Sequence, residues 1–176
     1  PPMLKVLTAA LTAAALWTGT ALAGEQYLDG SGYAVSGYDV VAYFDKEQSP
    51  VGEPQPAPTP GKASITAEWN GAVWAFASAA NRDRFLADPE AYAPQYDGHC
   101  AFGVAKGGKV PGDPQRWRIV DGKLYLNLQQ SVQEMWLADI PGHLDDAETN
   151  WPELEATPAS ERPVPELEAG QAPVSG

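Results

Sequence analysis

The chain has 176 residues, 44% of them hydrophobic, a single cysteine and a formal net charge of -12. That apolar share excludes wholesale disorder, and the length points to one domain with appendages. The acid excess argues against a nucleic-acid partner, which needs a basic face. One cysteine excludes an internal disulfide, a Cys-x-x-Cys pair and a cysteine-rich zinc site.

Lys5, an apolar run from Val6 to Trp17 and Ala21-Leu22-Ala23 follow one another at the amino end. This order of basic region, apolar core and small-x-small site predicts an export signal over 1–23, cleaved after Ala23. The run is shorter than the ~20 residues of a membrane span and is interrupted by threonines. The expectation is a periplasmic or secreted protein with no stable membrane insertion after cleavage.

Residues 24–45 form an amino-terminal segment in which Tyr33 to Phe44 is compactly apolar and too short to fold alone. Residues 46–62 hold Pro50, Pro54, Pro56, Pro58 and Pro60, which reads as an extended surface loop. The core is expected over 63–151. Ser64 to Trp69 alternates, Asn70-Gly71 supplies a turn, and Ala72 to Ala77 completes a predicted hairpin. Ser78 caps a predicted helix over Ala79 to Ala87, and Asp88-Pro89 opens a short second helix to Ala93. A loop with many glycines follows. Arg116 to Val120, Asp121-Gly122 and Lys123 to Leu128 predict another hairpin. Ser131 to Leu137 predicts a helix, Pro141-Gly142 reads as its breaker, and a last short helix reaches Asn150-Trp151. Pro152 to Gly176 has five Pro, five Glu and no aromatic, the composition of a disordered acidic tail. The fold class is therefore α+β, a small module of β-hairpins and short helices. Trp69, Trp74, Trp117, Trp136 and Trp151, with Tyr92, Tyr96 and Tyr125, are the expected core aromatics.

The stretches Trp69-Asn70-Gly71-Ala72-Val73-Trp74, Phe76-Ala77-Ser78-Ala79-Ala80-Asn81-Arg82, Asp88-Pro89-Glu90-Ala91-Tyr92 and Gln95-Tyr96-Asp97-Gly98-His99-Cys100-Ala101 together resemble the YHS domain. With Gly37 to Phe44 and Trp117 to Asn127, the resemblance spans about residues 33 to 151 and is similar to the exported, stand-alone bacterial branch. It implies a YHS-type fold and an association with heavy-metal handling. Metal-binding members resemble an Asp-Pro-Val-Cys-Gly-Met segment plus a Phe-Cys-Ser-x-x-Cys segment. Laid on this chain, the three thiol positions become Ala42, Ala77 and Asn81. None is a cysteine, so the family's metal site does not carry across.

The residues leave one alternative donor set, Cys100 beside His99, with Gly98 freeing the backbone. A soft thiolate suits copper(I), whereas zinc wants about four ligands. Copper or zinc at Cys100 and His99 is thus the candidate metal site. Cys100 also reads as a buried small hydrophobe or as an activated thiol. His143 reads as a loop residue. Asp39, Asp97 and Asp113 are possible acids or bases, with turn roles at Asp97 and Asp113. Lys106-Gly107-Gly108-Lys109 lacks phosphate-loop spacing. Five basic residues between 106 and 123 make either a docking face or a solvated hairpin face. No catalytic constellation is readable. Three functions follow: a binding module handling a soft metal through Cys100, an interaction domain that has lost the family metal site, and a thiol redox protein. The expected partner is a metal ion or a protein.

Overall fold

The computed structural model describes residues 24–167 and 174–175. The expected export signal, residues 1–23, lies outside the described residues, as do 168–173 and Gly176 of the tail.

The chain is of mixed α+β class. The first hairpin pairs β1 (Lys62–Trp69) with β2 (Ala72–Phe76), antiparallel. Asn70 and Gly71 both take positive φ (49° and 69°), the conformation that a two-residue hairpin turn requires. Helix α1 (Ala79–Ala87) starts where expected, with Ser78 Oγ accepting from the Asn81 N–H at 3.1 Å. Helix α2 (Pro89–Tyr92) follows. The glycine-rich loop contains an element that composition concealed, helix α3 (Ala101–Ala105). The second hairpin joins β3 (Asp113–Val120) to β4 (Lys123–Asn127) through Asp121-Gly122. Helix α4 (Gln130–Leu137) and helix α5 (Ile140–Glu155) complete the order.

The two hairpins form separate two-stranded sheets, and the amino-terminal segment is what joins them. Val40, Val41 and Tyr43 are buried in one core with Trp74 and Phe76 of β2, Phe85 of α1, Trp117 of β3, and Leu124 and Leu126 of β4. Tyr43 stacks tilted on Trp117, with ring centroids 5.0 Å apart, and its hydroxyl donates to the Pro114 carbonyl at 2.7 Å. Smaller clusters form around Trp136, between α3, β4 and α4, and around Ala147, between α3 and α5.

Two expectations need correction. Pro141-Gly142 does not break a helix but opens one. Asp139 caps α5 by accepting from the Gly142 N–H at 3.2 Å, and Pro141 sits in the first turn, where a missing N–H costs nothing. The proline-rich stretch 46–62 has neither helix nor strand before β1 begins at Lys62, as expected of an extended surface loop, and it is anchored to β3. Gln48 pairs with the Ile119 backbone through both amide atoms (2.7 and 3.1 Å), and Trp117 Nε1 donates to the Pro56 carbonyl at 3.0 Å. Side-chain amides thus satisfy the strand edge of β3 that proline backbone could not.

The tail, expected from Pro152, begins four residues later. Helix α5 carries Pro152 inside it and runs to Glu155, because Trp151 and Leu154 pack on the Val104–Ala147 cluster. Residues 156–167 have neither helix nor strand, as their composition predicts, yet they are tied to the core. Val164 is only 4% exposed, Lys109 Nζ donates to the Thr157 carbonyl at 2.8 Å, and Glu166 pairs with Arg116 at 2.8 Å. Deleting residues 156–176 is expected to lower the melting temperature by about 4–8 °C, corresponding to ~2 kcal/mol. An unchanged calorimetric melt would show that these contacts contribute nothing.

Candidate functional site

His99 and Cys100 leave a left-handed turn. Tyr96, Asp97 and Gly98 all have positive φ (57°, 54° and 80°), and a Cβ on Gly98 would collide with the Gln26 side-chain amide. The next two residues are extended and pair with Val110–Gly112. Cys100 N–H donates to the Val110 carbonyl at 2.8 Å, and Gly112 N–H to the Gly98 carbonyl at 3.0 Å. Consecutive side chains on extended backbone leave on opposite faces. The sulfur and the imidazole therefore enter different surroundings.

Cys100 is fully buried at the end of β4. Its Sγ accepts from the N–H groups of Leu128 (3.3 Å) and Gly103 (3.4 Å), and its S–H faces Asn127 Oδ1 at 3.5 Å. Burial pushes the thiol pKa up, and the two N–H donors oppose this without reversing it. The group is a satisfied neutral thiol.

His99 is also fully buried, beside the Tyr27 ring. Its Nδ1–H donates to the Tyr96 carbonyl at 2.9 Å, and Nε2 accepts from the Ser160 N–H at 3.0 Å. These two bonds select one neutral tautomer. Burial pushes the imidazole pKa down to about 4, although the Tyr96 bond favours the proton. Nε2, the nitrogen left to ligate a metal, already accepts a hydrogen bond from the tail. His143 lies on α5, not in a loop, with Nε2–H on the Met135 carbonyl at 3.2 Å. Among the described residues no three His, Cys, Asp or Glu side chains gather as metal ligands. The donors present do not fit a copper or zinc centre at Cys100 and His99.

A different group of positions does come together. Asp39 is fully buried, and its carboxylate accepts four hydrogen bonds. Oδ1 takes the N–H groups of Val41 (2.9 Å) and Ala42 (3.2 Å). Oδ2 takes the Ala77 N–H and Asn81 Nδ2, both at 2.8 Å. Ala42, Ala77 and Asn81 are the three positions onto which the family thiols were laid. They converge on one carboxylate. The sequence offered a signal for this, since Asp39 stands three residues before the first of them.

Asp113 is the other fully buried carboxyl. Oδ1 accepts from the Gln115 N–H at 2.8 Å, while Oδ2 has no protein partner. Burial raises its pKa to about 6. Its cross-strand neighbour Asn127 has an unpartnered Nδ2, although Oδ1 of the same amide accepts from the Phe102 N–H at 3.1 Å. Asp97 keeps the turn role expected of it, with its carboxyl pKa raised by burial and by Glu155.

Four of the five basic residues between 106 and 123 have partners within the fold, and Lys123 is exposed. Lys106 lies over the Phe102 ring and Lys109 over the Trp151 ring, Arg118 donates to the Ser49 carbonyl at 2.9 Å, and Arg116 pairs with Glu166. No helix of the described residues is long and apolar enough to cross a membrane. Compared with family models, with curated proteins and with solved structures, the chain gives no match.

His99 and Asp113 oppose each other in their pH dependence. Unfolded His99 takes a proton below pH 6.5, but the folded chain does not until about pH 4, so acidification costs stability across that window. Unfolded Asp113 ionises above pH 3.8 and the folded group only above about 6, so raising the pH costs stability there. Asp113→Asn should leave a profile that falls as pH drops from 6.5 to 4. His99→Gln should leave one that falls as pH rises from 4 to 6. Urea midpoints measured across this range check both, and parallel profiles for the three proteins would contradict the assignment.

Proposed function

We propose that the chain is an exported YHS-type interaction module that binds a protein partner, in which a carboxylate has taken over the place of the family's thiol metal site. The observation that carries this reading is the saturated Asp39 carboxylate at Ala42, Ala77 and Asn81. A metal thiolate centre would cross-link the amino-terminal segment to the β2–α1 junction. The Asp39 hydrogen bonds make that same link with no metal. The occupied Nε2 of His99 and the satisfied sulfur of Cys100 support the absence of a substitute site beside them. The Lys5, apolar-run and Ala21-Leu22-Ala23 pattern supports export to the periplasm or beyond.

A thiol redox reading has one observation in its favour, the two backbone N–H groups on Sγ, which would stabilise a thiolate once solvent reached it. Burial argues against it in the folded state.

Titration of the reduced protein with copper(I) and zinc against a competing chelator tests the module reading. The expected result is binding no tighter than about micromolar, unchanged in Cys100→Ser and in His99→Ala. Stoichiometric tight binding that disappears in Cys100→Ser would overturn it and restore the metal-handling function. Iodoacetamide separates the thiol reading. Alkylation of Cys100 in the native protein is expected to be slower than in urea by about a thousandfold or more, on the order of the folded-to-unfolded ratio. Comparable rates would favour the redox protein.

A further inference from the structure

Gly24, the residue after the expected cleavage site, is buried, and both polar groups of its backbone are engaged by distant side chains. Its N–H donates to Glu155 Oε1 at 3.2 Å, and its carbonyl accepts from Asn70 Nδ2 at 3.1 Å. The fit around it is tight. A Cβ on Gly24 would collide with Asp97 Oδ2, with Glu155 Cγ (2.7 Å) and with the Glu155 carbonyl oxygen (3.0 Å).

Two of these neighbours are acceptors that lack donors. Asp97 Oδ2 is buried and has no hydrogen-bond partner among the described residues. The Glu155 carbonyl is among the last four of α5, which have no intrahelical N–H to accept from. That helix end also carries the negative pole of the backbone dipoles and favours a cation. The side-chain charges point the same way. The carboxylates of Glu25, Asp97 and Glu155 all act on Lys109, whose Nζ is already bonded to the Thr157 carbonyl at 2.8 Å. Negative charge therefore exceeds positive charge around Gly24. Burial and Glu155 together push the Asp97 carboxyl up, as expected where a cation is missing. A peptide N–H brings one uncharged donor to this place. An α-ammonium brings three donors and a positive charge, as a lysine head group does.

We propose that removal of the leader turns Gly24 into an α-ammonium that Glu155 and Asp97 capture, so that the amino-terminal strip is fastened to the end of α5 at full strength only in the processed protein. This rests on the reading of the chain as exported and cleaved after Ala23. Hydrolysis of the Ala23–Gly24 amide consumes one water. It leaves a carboxylate on Ala23 and an ammonium on Gly24 at neutral pH. Once the amide is cut, the Gly24 nitrogen is free to turn about its own Cα–C bond, and the absence of a Cβ lets it approach Asp97. The captured ammonium holds its proton more firmly than it does in the unfolded chain. Its contribution to stability is therefore complete below about pH 8 and is lost as pH rises through the folded value.

The test uses the full chain, expressed with its leader and recovered after export. Amino-terminal sequencing is expected to begin at Gly24. The α-amine is then titrated by competitive labelling with trace acetic anhydride across pH, read by mass spectrometry on the amino-terminal peptide. Its pKa is expected to lie at least about one unit above the ordinary ~7.7–8.0, and to return to that range in Asp97→Asn/Glu155→Gln. Should the double variant fail to fold, Asp97→Asn alone is expected to lower the value from that of the wild type. An ordinary pKa in the wild type, or a raised one that neither variant changes, would overturn the capture while leaving the export reading in place. A mature chain that begins elsewhere would overturn the cleavage reading and the capture together.

Discussion

A single buried carboxylate connects the parts of this fold that sequence separation would leave apart. Through its two oxygens Asp39 holds the turn that begins at Val41, the end of β2 and the first turns of α1, and its own N–H reaches the Thr59 carbonyl at 2.8 Å. Neither hairpin offers a sheet edge to the other, so the amino-terminal segment must be clamped before Val40, Val41 and Tyr43 can fill the space between Trp74 and Trp117. Burying a carboxylate is costly unless its lone pairs are satisfied, and four donors satisfy these. The arrangement is polar, directional and dependent on two residues far apart in the chain, Asp39 and Asn81. Apolar packing alone would not select it.

Local chemistry made much of the fold legible. Asn70-Gly71 and Asp121-Gly122 specify their turns because both positions need positive φ, and Ser78 specifies the start of α1 because its hydroxyl replaces a missing acceptor. What stayed hidden depends on distant partners. Helix α3 is five residues of small and glycine-bearing sequence, with no periodic pattern of its own, and it exists because α5 and β4 pack against it. The order of residues 156–167 could not be read from proline and glutamate, since it depends on Tyr27, His99 and Arg116, which lie far away in the sequence.

The candidate site shows the same division. The family resemblance singled out Ala42, Ala77 and Asn81 only as positions without thiols, and in the structure the three meet at the Asp39 carboxylate. Spacing could not show that His99 and Cys100 would diverge, because that follows from extended backbone created by pairing with Val110–Gly112. Nor could it show that the tail reaches back to cover the imidazole. Both facts turn a plausible donor pair into two separately satisfied groups, and they shift attention from metal chemistry to the surfaces that the tail covers.

The Asp39 carboxylate cross-links the amino-terminal segment to the β2–α1 junction, and Asp39→Asn tests this most directly. The substitution keeps the shape but places an amide N–H₂ against N–H donors, leaving at least one buried donor facing another. Urea unfolding should show a loss of about 3 kcal/mol with an unchanged m-value. A loss below about 1 kcal/mol, within the range of an ordinary neutral hydrogen bond, would contradict the account.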